Sequence, residues 1–180
     1  MIKVNKYIAR NIIIVSLLVI VAYLCRLPHI CAYTPAVCGY IRSFIYLSLF
    51  SAWYISLRAR IIQVEVRKYL SSVAVLMILW LLFRTLKYNI ESNPNVVRYM
   101  WYLYYLPLLF IPVLAVFAAL SLGKPESYRL PKRTLLLLVP AVLLFAMVMT
   151  NDLHMHVFEF PANSTVWTDD QYSYGFGYYI

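Results

Sequence analysis

A chain of 180 residues that is 63% apolar and 13% charged lies far below the roughly 25% charged content of a soluble domain. Its net charge of +9 is spread over short basic groups between apolar blocks, and this argues against a nucleic-acid interface, which needs a continuous basic face. The blocks are of membrane-spanning length, and seventeen tyrosines and four tryptophans suit a protein with two lipid–water interfaces to populate.

The first block runs from Tyr7 to Cys25 behind Lys3, Lys6 and Arg10. A basic start and an apolar middle also describe a signal peptide. No small-x-small cleavage site follows, however, and Leu24 does not suit a lipoprotein cysteine at Cys25, so an uncleaved first span is expected. The second block, Ala36 to Leu57, contains Arg42. An ionisable residue inside a span is a functional candidate. Arg42 lies only about six residues, ~9 Å by the helical rise, from the outer end. It either snorkels to the interface or clamps an anionic ligand or a carbonyl freed by a proline.

The third block, centred on Leu70 to Phe83, reaches Tyr69 and Leu86 if Arg84 snorkels. The fourth, Tyr99 to Leu122, carries Pro107 and Pro112, which predict a kink. It is entered through an aromatic run, Tyr99, Trp101, Tyr102, Tyr104 and Tyr105, typical of the headgroup zone and open to a reading as a ligand-stacking platform. The fifth, Thr134 to Met149, contains Pro140, and a polar, aromatic tail follows from Thr150 to Ile180.

Basic residues fall in alternate connections. Lys3, Lys6, Arg10, then Arg58, Arg60, Arg67, Lys68, then Lys124, Arg129, Lys132 and Arg133 make eleven; the other side holds Arg26, Arg84, Lys87 and Arg98. The positive-inside rule then places the amino terminus in the cytoplasm and the tail outside. The expected architecture is an all-α polytopic bundle of five transmembrane helices: residues 1–35 supply an added first span and loop, and 36–180 a second region.

Little in the sequence carries chemistry. The expected spans hold no Asp or Glu, which disfavours a coupled carrier. His154 and His156 beside Asp152 supply too few ligands for a metal, and no nucleophile pairs with either histidine. Cys25, Cys31 and Cys38 are read as small apolar residues at helix ends, one disulfide being open to them in an oxidising space. Asn163-Ser164-Thr165 matches a glycosylation sequon.

Three groups of residues resemble a known family. They are Asn93-Pro94-Asn95-Val96-Val97-Arg98-Tyr99-Met100-Trp101-Tyr102; Leu122-Gly123-Lys124-Pro125 with Leu130-Pro131-Lys132; and Thr150-Asn151-Asp152-Leu153-His154 with Phe158-Glu159-Phe160-Pro161 and the final Tyr174-to-Tyr179 string. Together they resemble the amino-terminal seven-span sensor region of bacterial membrane histidine kinases. The resemblance covers the second half best. It implies a ligand-sensing receptor region at the cell membrane whose tail would lead to further spans. No phosphoacceptor helix or nucleotide-binding domain accompanies it, so no enzyme activity, cofactor or metal is expected. Expected partners are the lipid bilayer, a small-molecule or membrane-borne signal, and a second copy of the chain as a homodimer. Arg42, Trp101, Asn151, Asp152 and His154 are the candidate ligand or gating residues. A transporter component and a structural or assembly protein are the rival readings.

Overall fold

The computed structural model describes residues 6–31, 34–87, 93–125, 127–161 and 171–179. In chain order it contains α1 (Lys6–Leu24), α2 (Pro28–Cys31), α3 (Pro35–Arg60), α4 (Val64–Lys87), α5 (Pro94–Tyr102) and α6 (Tyr105–Ser121). A 3-10 turn, Lys132–Leu137, leads into α7 (Leu138–Met149) and α8 (Asn151–His154). Two short strands, β1 (Phe158–Glu159) and β2 (Ser173–Tyr174), and a second 3-10 turn, Phe176–Tyr178, complete it. Among the described residues four stretches are long and apolar enough to cross a membrane, namely Pro35–Arg60, Val64–Lys87, Pro94–Ser121 and Lys132–Met149; the apolar part of α1, Ile8–Leu24, is shorter. The all-α polytopic expectation therefore holds, interrupted among the described residues by the antiparallel pairing of β1 with β2.

Two compact units divide the chain, Met1–Trp53 and Tyr54–Ile180. In the first, α1 exposes Ile12, Ile13 and Leu17, the all-round apolar surface of a helix solvated by lipid. A disulfide joins Cys31 at the end of α2 to Cys38 in the first turn of α3. Reading all three cysteines as small apolar residues is thus corrected for two of them. Their Cα atoms, 6.1 Å apart, are brought together because α2 ends just before Pro35 restarts the chain as a helix.

In the second unit α4 packs along α6, with Tyr69 set edge-on to Phe117 at 5.5 Å and Ala118 buried beside them. The sequence blocks underestimate α4. It begins at Val64, so Glu65, Arg67 and Lys68 belong to its first turns rather than to a loop. Hydropathy sees only the lipid-facing length of a helix, whereas backbone hydrogen bonding continues into the headgroup zone. Glu65, omitted from every expected span, is buried and ion-paired with Arg129. At the same end Gln63 donates to the backbone carbonyls of Ser121 and Lys124. Gly123, at φ +73°, adopts the left-handed conformation that closes a helix and that a side chain would resist.

The fourth block is one membrane-crossing stretch, Pro94–Ser121, interrupted at residues 103–104 between α5 and α6 as its prolines predict. Asn93 caps α5, its side chain accepting from the Asn95 and Val96 N–H groups, and Pro94 occupies the first helical position. The helix stops at Tyr102 because Pro107 has no N–H for the Leu103 carbonyl and its ring crowds that carbonyl. Leu106 donates to Leu103 instead, in a tighter turn. The fifth block starts as a 3-10 turn for a similar reason, with Pro140 acting on Leu136.

Candidate functional site

The carboxyl-terminal end of α7 leads into the motif Thr150-Asn151-Asp152-Leu153-His154, and each polar member has a distinct partner. Thr150 donates to the Ala146 carbonyl at 2.8 Å, and its Oγ1 lies 3.3 Å from His154 Nε2. The His156 N–H donates to His154 Nδ1 at 3.0 Å. This bond assigns the proton of neutral His154 to Nε2, so the ring bridges Thr150 to the chain beyond α8. It also stacks on His156, ring centroids 4.9 Å apart.

Asn151 is fully buried. Its Oδ1 accepts from the N–H groups of Val157 and Phe158 at 3.0 and 2.9 Å, and its Nδ2 donates to the Phe158 carbonyl at 2.9 Å. One side chain thus substitutes for a missing strand and folds the chain back over the helix end. Met155 makes the reversal at φ 51°, a conformation costly for a residue with a side chain. The returning segment docks against Gly175, where a Cβ would lie 2.2 Å from the His156 carbonyl oxygen. Only glycine fits that approach.

Asp152 reaches across to α5. Arg98 Nη2 donates to its Oδ2 at 2.7 Å and the Tyr102 hydroxyl to its Oδ1 at 2.8 Å. Asn151 Nδ2 stands 3.4 Å from the same hydroxyl. The side chains of Arg98 and Asp152 are 7% and 16% exposed, so the carboxylate exchanges water for two directed donors, one of them charged. Arg98, read from the sequence as a loop cation, lies in α5 and is neutralised there.

Around this polar junction sits an aromatic cluster. The Trp101 ring lies 4.5 Å from Phe158 and 4.8 Å from Tyr172, and Tyr102 stacks on Phe158 at 6.0 Å. Val148, Val157 and Phe160 complete the buried group. Beyond it, the hydrogen bond between the Tyr172 and Tyr174 hydroxyls holds the Tyr174 phenol above its ordinary range.

Of the five residues singled out by sequence, Trp101, Asn151, Asp152 and His154 thus come together at one end of the second unit. Arg42 lies on α3 in the first unit, partly exposed. Sequence reasoning missed Arg98, Tyr102 and Phe158. Arg98 and Tyr102 stand four apart on one helix, and that spacing was the signal that could have paired them with Asp152. Among the described residues no group of three or more His, Cys, Asp or Glu is placed to hold a metal ion. Asn163-Ser164-Thr165 lies outside the described residues.

Neither a curated protein nor a solved structure matches the chain. A family model described as the N-terminal 7TM region of histidine kinase matches residues 41–180, a stretch that contains all of the second unit and the whole junction just described. The chain therefore belongs to the family of N-terminal seven-transmembrane regions of histidine kinases, and is a multi-pass membrane protein of that sensor class.

Proposed function

We propose that this chain is the signal-receiving region of a two-component receptor and performs no phosphotransfer itself. The observation that carries the reading is the buried Arg98–Asp152 pair with Tyr102. It joins the outward ends of two separate membrane-crossing stretches through a few directed bonds. Such a junction has two discrete arrangements, made or broken, and a signal that favours one shifts the population between them. A bond from a charged group is worth about 1.5–3 kcal/mol, enough to hold one state and small enough to be overcome by binding.

A measurement free of any ligand tests this. In lipid nanodiscs with 5-fluorotryptophan incorporated, Trp101, assigned through Trp101→Phe, is expected to exchange between a major and a minor environment. Asp152→Asn keeps the shape but removes the charge, and is expected to raise the minor population by about tenfold. A single Trp101 environment, identical in both proteins, would sink the reading.

The orientation we propose places the amino terminus in the cytoplasm and residues 150–180 outside. Charge asymmetry supports it, and so does the Cys31–Cys38 disulfide, which threading puts on the tail's side and which belongs in an oxidising compartment. In intact cells a membrane-impermeant thiol reagent is expected to leave Cys31 and Cys38 unmodified until an impermeant reductant is added. Modification that needs permeabilised cells would reverse the orientation.

A further inference from the structure

A depression of about 500 Å³ opens where α5 breaks into α6. Met77 and Trp80 of α4 form one wall, and Trp101, Tyr104, Tyr105 and Pro112 the other. We propose that it is a binding site for a neutral, ring-bearing lipophilic small molecule taken up from the bilayer. Calling that molecule the signal rests on the receptor reading above, whereas occupancy of the site does not.

Four features select this occupant. The volume falls within the roughly 300–1,000 Å³ of small-molecule sites. The lining residues include no charged side chain, and an ion brought there would lose its hydration without a partner. The nearby Arg84 guanidinium lies 5.9 Å from the centre of the Trp80 ring, and Asp152 is engaged by Arg98 and Tyr102. The aromatic rings offer faces and edges to another ring.

The α4 wall also disfavours a packed helix as occupant. Met77 and Trp80 are separated by one turn, ~4.5 Å of rise, whereas a helix seam engages several turns of both partners. Pro112 has no N–H for the Leu108 carbonyl to accept, and both residues line the depression. Trp101 belongs both to this wall and to the buried cluster around Phe158. Occupancy therefore bears directly on the residue beside Tyr102 and its bond to Asp152.

The full chain in phosphatidylcholine nanodiscs is photolabelled with a trifluoromethyl-phenyldiazirine benzyl alcohol, and adducts are located by mass spectrometry. Labelling is expected to concentrate on Trp80, Tyr104 and Tyr105, to saturate, and to be displaced by phenylbutanol. Phenylbutyrate, charged but otherwise similar, should displace about tenfold less well. Leu108→Trp and Ile111→Trp, which fill the depression, should each cut the labelling about tenfold, while Leu120→Trp on an exposed face of α6 leaves it unchanged. Several outcomes overturn the proposal: labelling that does not saturate; equal displacement by phenylbutyrate; labelling of the same residues by a phosphatidylcholine bearing the diazirine on its chain; or cross-links to a second copy. If labelling saturates while the Trp101 environments stay unmoved, the site stands and its coupling to signalling fails, so the two readings fail separately.

Discussion

Asp152→Ala is expected to release α5 from the end of α7 and to cost about 3–5 kcal/mol, the usual penalty for removing one member of a buried ion pair. The magnitude follows from what remains. Arg98 stays buried after losing the carboxylate at 2.7 Å, and the Tyr102 hydroxyl loses its acceptor. Arg98→Met combined with Asp152→Leu should recover most of the loss, because no uncompensated charge is left behind. Equilibrium unfolding in mixed micelles, together with hydrogen exchange over residues 94–102, distinguishes the cases. If the single and double variants were equally stable, the pair would not be holding the two elements together.

Asn151→Ala acts on the other half of the junction. Two buried N–H groups, those of Val157 and Phe158, and the Phe158 carbonyl would each lose a partner. At about 1–3 kcal/mol for each unsatisfied group, the expected loss is about 3–9 kcal/mol, confined to the segment that folds back. Exchange protection at Val157, Phe158, Gly175 and Gly177 should collapse, since the last two donate to carbonyls of the same segment. Amides in α4 and α6 should keep theirs. Uniform loss of protection across the second unit would show that Asn151 supports the whole bundle instead.

The membrane-crossing blocks were legible because a run of about twenty apolar residues, wound as a helix, matches the thickness of a bilayer's hydrocarbon core. Their ends were less so. Glu65 and Arg67 lie in the first turns of α4, which its hydropathy does not register, and the stop at Tyr102 is set by Pro107, five residues further on. The site was half legible. Asn151, Asp152 and His154 were visible as a polar motif at a span's edge, but a motif names residues and not their partners. That Asp152 meets Arg98, fifty-four positions away, depends on how α5 stands against α7, which no local pattern encodes. The disulfide depended on the same kind of information. A seven-residue separation permits many geometries, and only the short helix ending at Cys31 makes the right one.

The fastening at the opposite end of the second unit constrains what kind of motion a stimulus can produce. Glu65 with Arg129, and Gln63 with the carbonyls of Ser121 and Lys124, pin the start of α4 to the chain leaving α6. Sliding one rod along the other would break all of these links at once, whereas tilting about them breaks none. The pinned end therefore works as a fulcrum. Displacement grows with distance from it and is already large at Trp80 and Trp101, so a small wedge inserted there acts on the long arm of a lever.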